Sequence, residues 1–136
     1  MTKPFGISDP GNVTHVNSYS LLHLYMYEIN WEDFEKVELR AGTILEAIEF
    51  REAHKPAYKI LVDFGIFGTR WSSAQITKNY TLEELPGKQI IAVLNFPPKQ
   101  IANFVSEFLV TGFTDTNGNI VLASVDQQVP NGSLLI

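Results

Sequence analysis

The chain has 136 residues, 45% apolar and 18% charged, with a net charge of −5 and no cysteine. That length suits one domain and that apolar content suffices for a packed core, which excludes a disordered chain. Lack of cysteine excludes disulfides and thiolate metal sites, and no run of about eighteen apolar residues is present to cross a membrane.

Residues 1–27 read as an N-terminal extension. Pro4, Gly6, Pro10 and Gly11 punctuate it, and Asn12–Ser20 is polar and irregular. Two readings stay open: unstructured residues ahead of a domain that starts near Met26, or an ordered arm that packs on the domain. The apolar stretch Leu21–Tyr27 is short, is broken by His23 and follows little positive charge, so it does not read as a signal peptide. A cytoplasmic location is expected.

Trp31–Lys36 predicts one helical turn. Val37, Leu39 and Ala41 alternate with Glu38 and Arg40, the period of a half-buried strand. After Gly42 the apolar phase passes to Ile44, Ile48 and Phe50, which predicts a bulge or sharp bend at the glycine. Tyr58, Ile60, Val62 and Phe64 mark a second strand. Gly65 and Gly68 bracket a tight hairpin into a third, Thr69–Ala74. The segment from Ala74 to Glu84, ended by Pro86-Gly87, predicts one or two short helices. Lys88–Leu94 reads as a fully buried strand, stopped by Phe96-Pro97-Pro98. Phe108–Phe113 and Ile120–Val125 pair across Asp115-Thr116-Asn117-Gly118, a hairpin signal. Five or more short strands, with a helical insertion between the third and fourth, describe an all-β OB-fold Greek-key barrel. An SH3-like barrel fits the strands but leaves the insertion less well explained.

The residues argue for binding rather than catalysis. The histidines are His15, His23 and His54, in no metal-ligand spacing, and no nucleophile motif or phosphate-binding loop occurs. Ser72-Ser73 has no histidine placed to activate it, and Glu83-Glu84, adjacent on a short helix, point in different directions. No enzymatic activity, metal or cofactor is expected. An acidic chain is an unusual binder of polyanions, yet its charge is uneven. Residues 28–52 carry Glu28, Glu32, Asp33, Glu35, Glu38, Glu46, Glu49 and Glu52 against Lys36, Arg40 and Arg51. Residues 53–100 carry Lys55, Lys59, Arg70, Lys78, Lys88 and Lys99 against Asp63, Glu83 and Glu84. A locally positive surface steers a polyanion whatever the total charge. OB barrels hold single strands with cations and aromatic platforms. Here Lys36, Arg40, Lys59, Arg70, Lys78 and Lys99 fall on strands or adjoining loops, and Phe96 precedes a rigid Pro-Pro. The other reading makes Phe96 a core plug and the cations scattered solubilising charges, and spacing by itself favours it slightly.

Five ordered blocks change that balance. They are Asp33–Ile44 (DFEKVELRAGTI), Ser72–Thr77 (SSAQIT), Asn95–Lys99 (NFPPK), Ser106–Val110 (SEFLV) and Val129–Gly132 (VPNG). On these blocks the chain resembles the CsaA group of tRNA-binding-domain proteins. The resemblance implies an OB-type barrel over residues 28–136 with dimerising flanks, a homodimer, and binding of tRNA or structured RNA. It also implies an export-related chaperone role, with unfolded or precursor polypeptide held in apolar pockets. A structural or recruiting subunit for an aminoacyl-tRNA synthetase is the alternative.

The expected binding residues are Lys36, Arg40, Lys59, Arg70, Ser73, Gln75, Asn95, Phe96, Lys99, Ser106 and Glu107. Arg40 is placed on the solvent side of the first strand, and Ser73 and Gln75 offer donors to phosphate or peptide backbone. Asn95 and Lys99 flank the aromatic-proline turn, and Ser106 and Glu107 open the next strand. Two departures stand out. Lys99-Gln100 occupies positions where relatives often carry arginines, which weakens bidentate phosphate recognition. Asn103 stands where relatives often have glycine, in a turn whose left-handed conformation Asn tolerates.

Overall fold

The computed structural model describes residues 26–136. Residues 1–25 of the expected extension 1–27, with His15 and His23, lie outside them. The chain divides into two units, one ending at Lys36 and one running from Val37 to Ile136. In the first, Asn30 caps helix α1 (Trp31–Glu35): its side chain accepts from Asp33 N, and the Asp33 carboxylate accepts from Asn30 N. This reciprocal capping box supports a helix too short to stand on propensity.

The second unit is built on β1 (Leu39–Glu49), β2 (Tyr58–Asp63), β3 (Thr69–Ala74) and β4 (Gln89–Val93). β1 is the organising strand. Its first half pairs with β4 and its second half with β2, both antiparallel. A strand shared in this way must bend, and the register slips between Ile44 and Glu46. The bulge therefore falls at Leu45 rather than at Gly42. Gly42 serves another purpose: a Cβ there would stand 2.6 Å from the Phe64 ring and from Val62. Past the bulge Ala47 packs on the core, while Ile48, expected inward, is exposed. Ile44, Ile60, Val62, Phe64 and Ile90 form the fully buried centre, with the Phe64 and Phe108 rings edge to face at 5.0 Å.

Between β3 and β4 the expected helices are absent. Residues 75–88 run through successive turns. A single i to i+4 bond, Tyr80 N to Ile76 O, is isolated, and Lys88 N closes a tight turn onto Leu85 O. Short helices need packing to offset nucleation. Here the burial falls on two separate anchors, Ile76 and Leu85, which plug the barrel from a looped segment.

The remaining strands are β5 (Lys99–Ile101), β6 (Phe104–Ser106), β7 (Leu109–Val110), β8 (Gly112–Thr114) and β9 (Ile120–Leu122). The main sheet has the order β3-β2-β1-β4-β7, while β5-β6 and β8-β9 are separate hairpins. In the β5-β6 turn the left-handed residue is Ala102, at φ 52, rather than Asn103. Glu107 closes the barrel. Its N–H donates to Trp71 O (2.8 Å), and its carboxylate accepts from Trp71 N (3.0 Å). A meander β1-β2-β3, with β4 returning beside β1, β7 beside β4, and Glu107 bonded back to Trp71 of β3, is the all-β OB-type Greek-key barrel.

The C-terminal segment completes the free edge of β1. Gly132 N donates to Ala41 O, Ala41 N to Ser133 O, and Leu135 N to Leu39 O. A buried amide holds the approach to it. Gln89 donates to Val129 O (2.8 Å) and Asn131 Oδ1 (3.1 Å) and accepts from Val129 N (3.0 Å). Among the described residues no helix is long and apolar enough to cross a membrane.

Candidate functional site

Antiparallel backbone groups alternate between the two edges of a strand. On β3, residue 71 turns its N–H and C=O toward Glu107, and Ser73 N donates to Ser106 Oγ (3.3 Å). The next residue of that set, Gln75, lies beyond the end of β3 and outruns this partner. A groove of about 440 Å³ opens there, where β3 ends beside β7 and β8. Its polar lining is Ser73, Gln75, Lys99 and Ser106, and its apolar lining includes Ala74, Ile76, Phe108 and Ile120. Phe96 stands on its rim, 54% exposed. The ring is outside the core, and Pro97-Pro98 restrict the backbone that carries it.

Five of the eleven expected residues thus gather on one groove: Ser73, Gln75, Phe96, Lys99 and Ser106. Ser106 is also structural. Its hydroxyl lies 2.9 Å from Ser72 Oγ, which donates to Phe108 O (2.8 Å), so a buried hydroxyl pair fixes the groove wall.

The others stand elsewhere. Arg40 shares the core face of β1 with Gly42 and Ile44 rather than the solvent side. Its side chain is 18% exposed, bonds to Glu38 at 2.8 and 3.1 Å, donates to Gly132 O at 2.9 Å, and stacks over the Phe67 ring at 4.3 Å. Lys59 lies over the Phe50 and Phe104 rings at 4.8 and 5.1 Å and faces Glu52 at 3.9 Å. Arg70 makes two long bonds to Phe67 O and Leu94 O. Glu107 closes the barrel, and the Asn95 side chain accepts from Glu38 N (3.0 Å). Lys36 belongs to the first unit, where it pairs with Asp33 at 3.4 Å.

Lys99 is the charged residue in the lining. Carboxylates collect instead around Tyr58, whose phenol is pushed up by burial first and then by Glu83, Glu49 and Glu84. Tyr58 itself does not line the groove. The sequence reading missed the apolar half of the site. Ile76 and Phe108 lie inside two of the five blocks, SSAQIT and SEFLV, and their apolar character was the available signal.

Residues 39–134 match the family described as "Putative tRNA binding domain". The solved structure of chaperone CsaA from Bacillus anthracis is 48% identical, covers 80% of this chain and 99% of its own, and superposes with a TM-score of 0.75. The CsaA chaperone structure from Picrophilus torridus is 50% identical, covers 80% and 100%, and has a TM-score of 0.74. Methionine–tRNA ligase 1 of Bacillus anthracis is 38% identical over 106 residues. That match takes in 78% of this chain but only 16% of the ligase.

Proposed function

Because the chain belongs to the CsaA-type tRNA-binding-domain family, we propose that it is a non-catalytic binding protein whose ligand is tRNA, engaged at the groove beneath Phe96. The observation that carries this reading is the placement of an exposed aromatic ring, a lysine and an uncommitted amide group around one cleft. The Phe96 face suits an unpaired base, and stacking of that kind is worth about 1–3 kcal/mol per base. Lys99 meets a backbone phosphate as a point charge. The Gln75 amide offers both donors and an acceptor to a base edge.

A second ligand, unfolded polypeptide, is favoured by the apolar lining of the same groove, which would take side chains of an unfolded segment in an export-related chaperone role. We place the protein in the cytoplasm as a homodimer. Exposed Phe113, Leu134 and Leu135, on the segments that follow the barrel, are the apolar surface a second copy would cover. A domain this small gains proportionally more from such burial.

The test is titration of labelled tRNA, and separately of a denatured client, across a salt series. For tRNA the log–log plot should fall by about 0.7 per single-strand phosphate contacted. No tRNA binding, or binding indifferent to salt, refutes the phosphate-led reading. Capture of a synthetase with neither ligand bound would favour a recruiting subunit instead. Sedimentation equilibrium should give twice the 15.3 kDa protomer mass, and a monomer at micromolar concentration removes the dimer.

A further inference from the structure

We propose that Asn117 is a site of spontaneous deamidation in the folded protein and that Asn131 is not. These are the two Asn-Gly steps of the sequence, so local chemistry treats them alike. In both, the following glycine has no Cβ to hinder approach of its peptide nitrogen to the asparagine amide.

The reaction begins when the peptide nitrogen of the glycine attacks the amide carbon, Cγ, of the asparagine. A new bond forms between that nitrogen and Cγ, the bond from Cγ to Nδ2 breaks, and ammonia leaves with the proton lost by the peptide nitrogen. Water then opens the cyclic imide at either carbonyl, giving aspartate or isoaspartate. The net change is one water consumed and one ammonia released. It requires a free amide group on the asparagine and a backbone able to bring nitrogen to carbon.

The fold separates the two sites on both requirements. Asn117 and Gly118 are exposed at the tip of the β8-β9 hairpin. The Asn117 side chain makes no hydrogen bond with any described residue; its backbone N–H alone is held, by Asp115 Oδ1 at 2.9 Å. Gly118, at φ 80, has open space where a Cβ would stand. Its N–H is retained by one turn bond, to Asp115 O at 3.0 Å, so the nucleophile is released when a solvent-exposed turn opens.

At Asn131 both reacting groups are pinned. Its Oδ1 accepts from Thr43 Oγ1 at 2.7 Å and from Gln89 Nε2 at 3.1 Å. The Gly132 N–H donates to Ala41 O at 2.7 Å. Gly132 is buried, with Phe64 O only 2.6 Å from where its Cβ would be. Opening this site means stripping the C-terminal segment from β1.

Conversion at Asn117 reaches the groove through the hairpin. Isoaspartate adds a backbone methylene to a turn closed by Asp115 N to Asn119 O at 2.8 Å, and it sets a second carboxylate beside Asp115. Asn79 ties that turn to the barrel through Asp115 Oδ2 (3.0 Å) and Ile120 O (2.9 Å), and Ile120 lines the groove.

The experiment ages the full-length protein for weeks at mildly alkaline pH, native and in denaturant. Peptide mapping follows the amide-to-acid mass gain, and isoaspartyl methyltransferase with labelled S-adenosylmethionine reports isoaspartate. In denaturant both sites should react at similar rates. In the native protein Asn117 should react roughly tenfold or more faster than Asn131, the ratio given by about 1.4 kcal/mol of extra opening free energy. Asn117→Ser should remove the native label from the hairpin-tip peptide while leaving the denatured protein reactive at Asn131. Native protection of Asn117 equal to that of Asn131, or equal native reaction at both, overturns the proposal.

Discussion

Truncation of Phe96 to alanine separates a ring that binds from a ring that merely packs. Full burial of a phenylalanine ring contributes about 1.5–3 kcal/mol relative to leaving it exposed. With Phe96 54% exposed, less than half of that transfer is at stake, so Phe96→Ala should cost about 1 kcal/mol of stability. A core phenylalanine would cost about 3–5 kcal/mol. If a base stacks on the ring, tRNA affinity should fall by about 1–3 kcal/mol, roughly fivefold to 150-fold. Urea denaturation gives the first quantity, as a shifted midpoint with unchanged slope. Fluorescence anisotropy on the same preparation gives the second. A stability loss above about 3 kcal/mol with affinity per folded molecule unchanged would refute the platform and return the ring to a packing role. Loss of peptide binding alone would leave the groove as an apolar pocket and rest RNA binding on cations.

The cations should divide by their partners. Lys99→Ala should flatten the salt dependence of tRNA binding by the contribution of about one phosphate with little effect on folding. Arg40→Ala should instead destabilise by about 2 kcal/mol, because it removes charge-assisted bonds to Glu38 and Gly132 O, and leave the salt slope unchanged. Gly42→Ala should cost about 1–3 kcal/mol or more in thermal or urea unfolding, since its Cβ would press on Phe64 and Val62 in a packed core. Hydrogen bonds from Asn119 N, then from the Asn79 amide and Asn117 N, hold the Asp115 carboxyl below the usual aspartate range. A depressed folded-state value means that this contribution is present at neutral pH and is lost as pH falls through that lowered value. The Asn117 and Asn119 amide resonances should titrate with a midpoint below that of ordinary aspartate, and Asp115→Asn should remove the titration.

Much of the barrel was legible because its signals are local. Alternation at Ile60, Val62 and Phe64 marks a strand whatever its neighbours do. Gly118 at φ 80 and the Asp115 side chain build a turn from residues already adjacent in the sequence. The five blocks carried the family. The tertiary structure decided what depends on residues far apart in the sequence. Arg40 reads as a surface cation until Gly132, 92 residues on, supplies the carbonyl that occupies it. Lys59 reads the same way until the Phe50 and Phe104 rings close over it. The bulge lies at Leu45 because β1 must change partners from β4 to β2 there, and Gly42 is needed because Phe64 and Val62 crowd it. The groove exists because β3 outruns Ser106 and Glu107 beside β7, a mismatch of strand ends. Periodicity reports which face of a strand is apolar, but partner, register and strand ends are set by packing between segments that no local pattern connects.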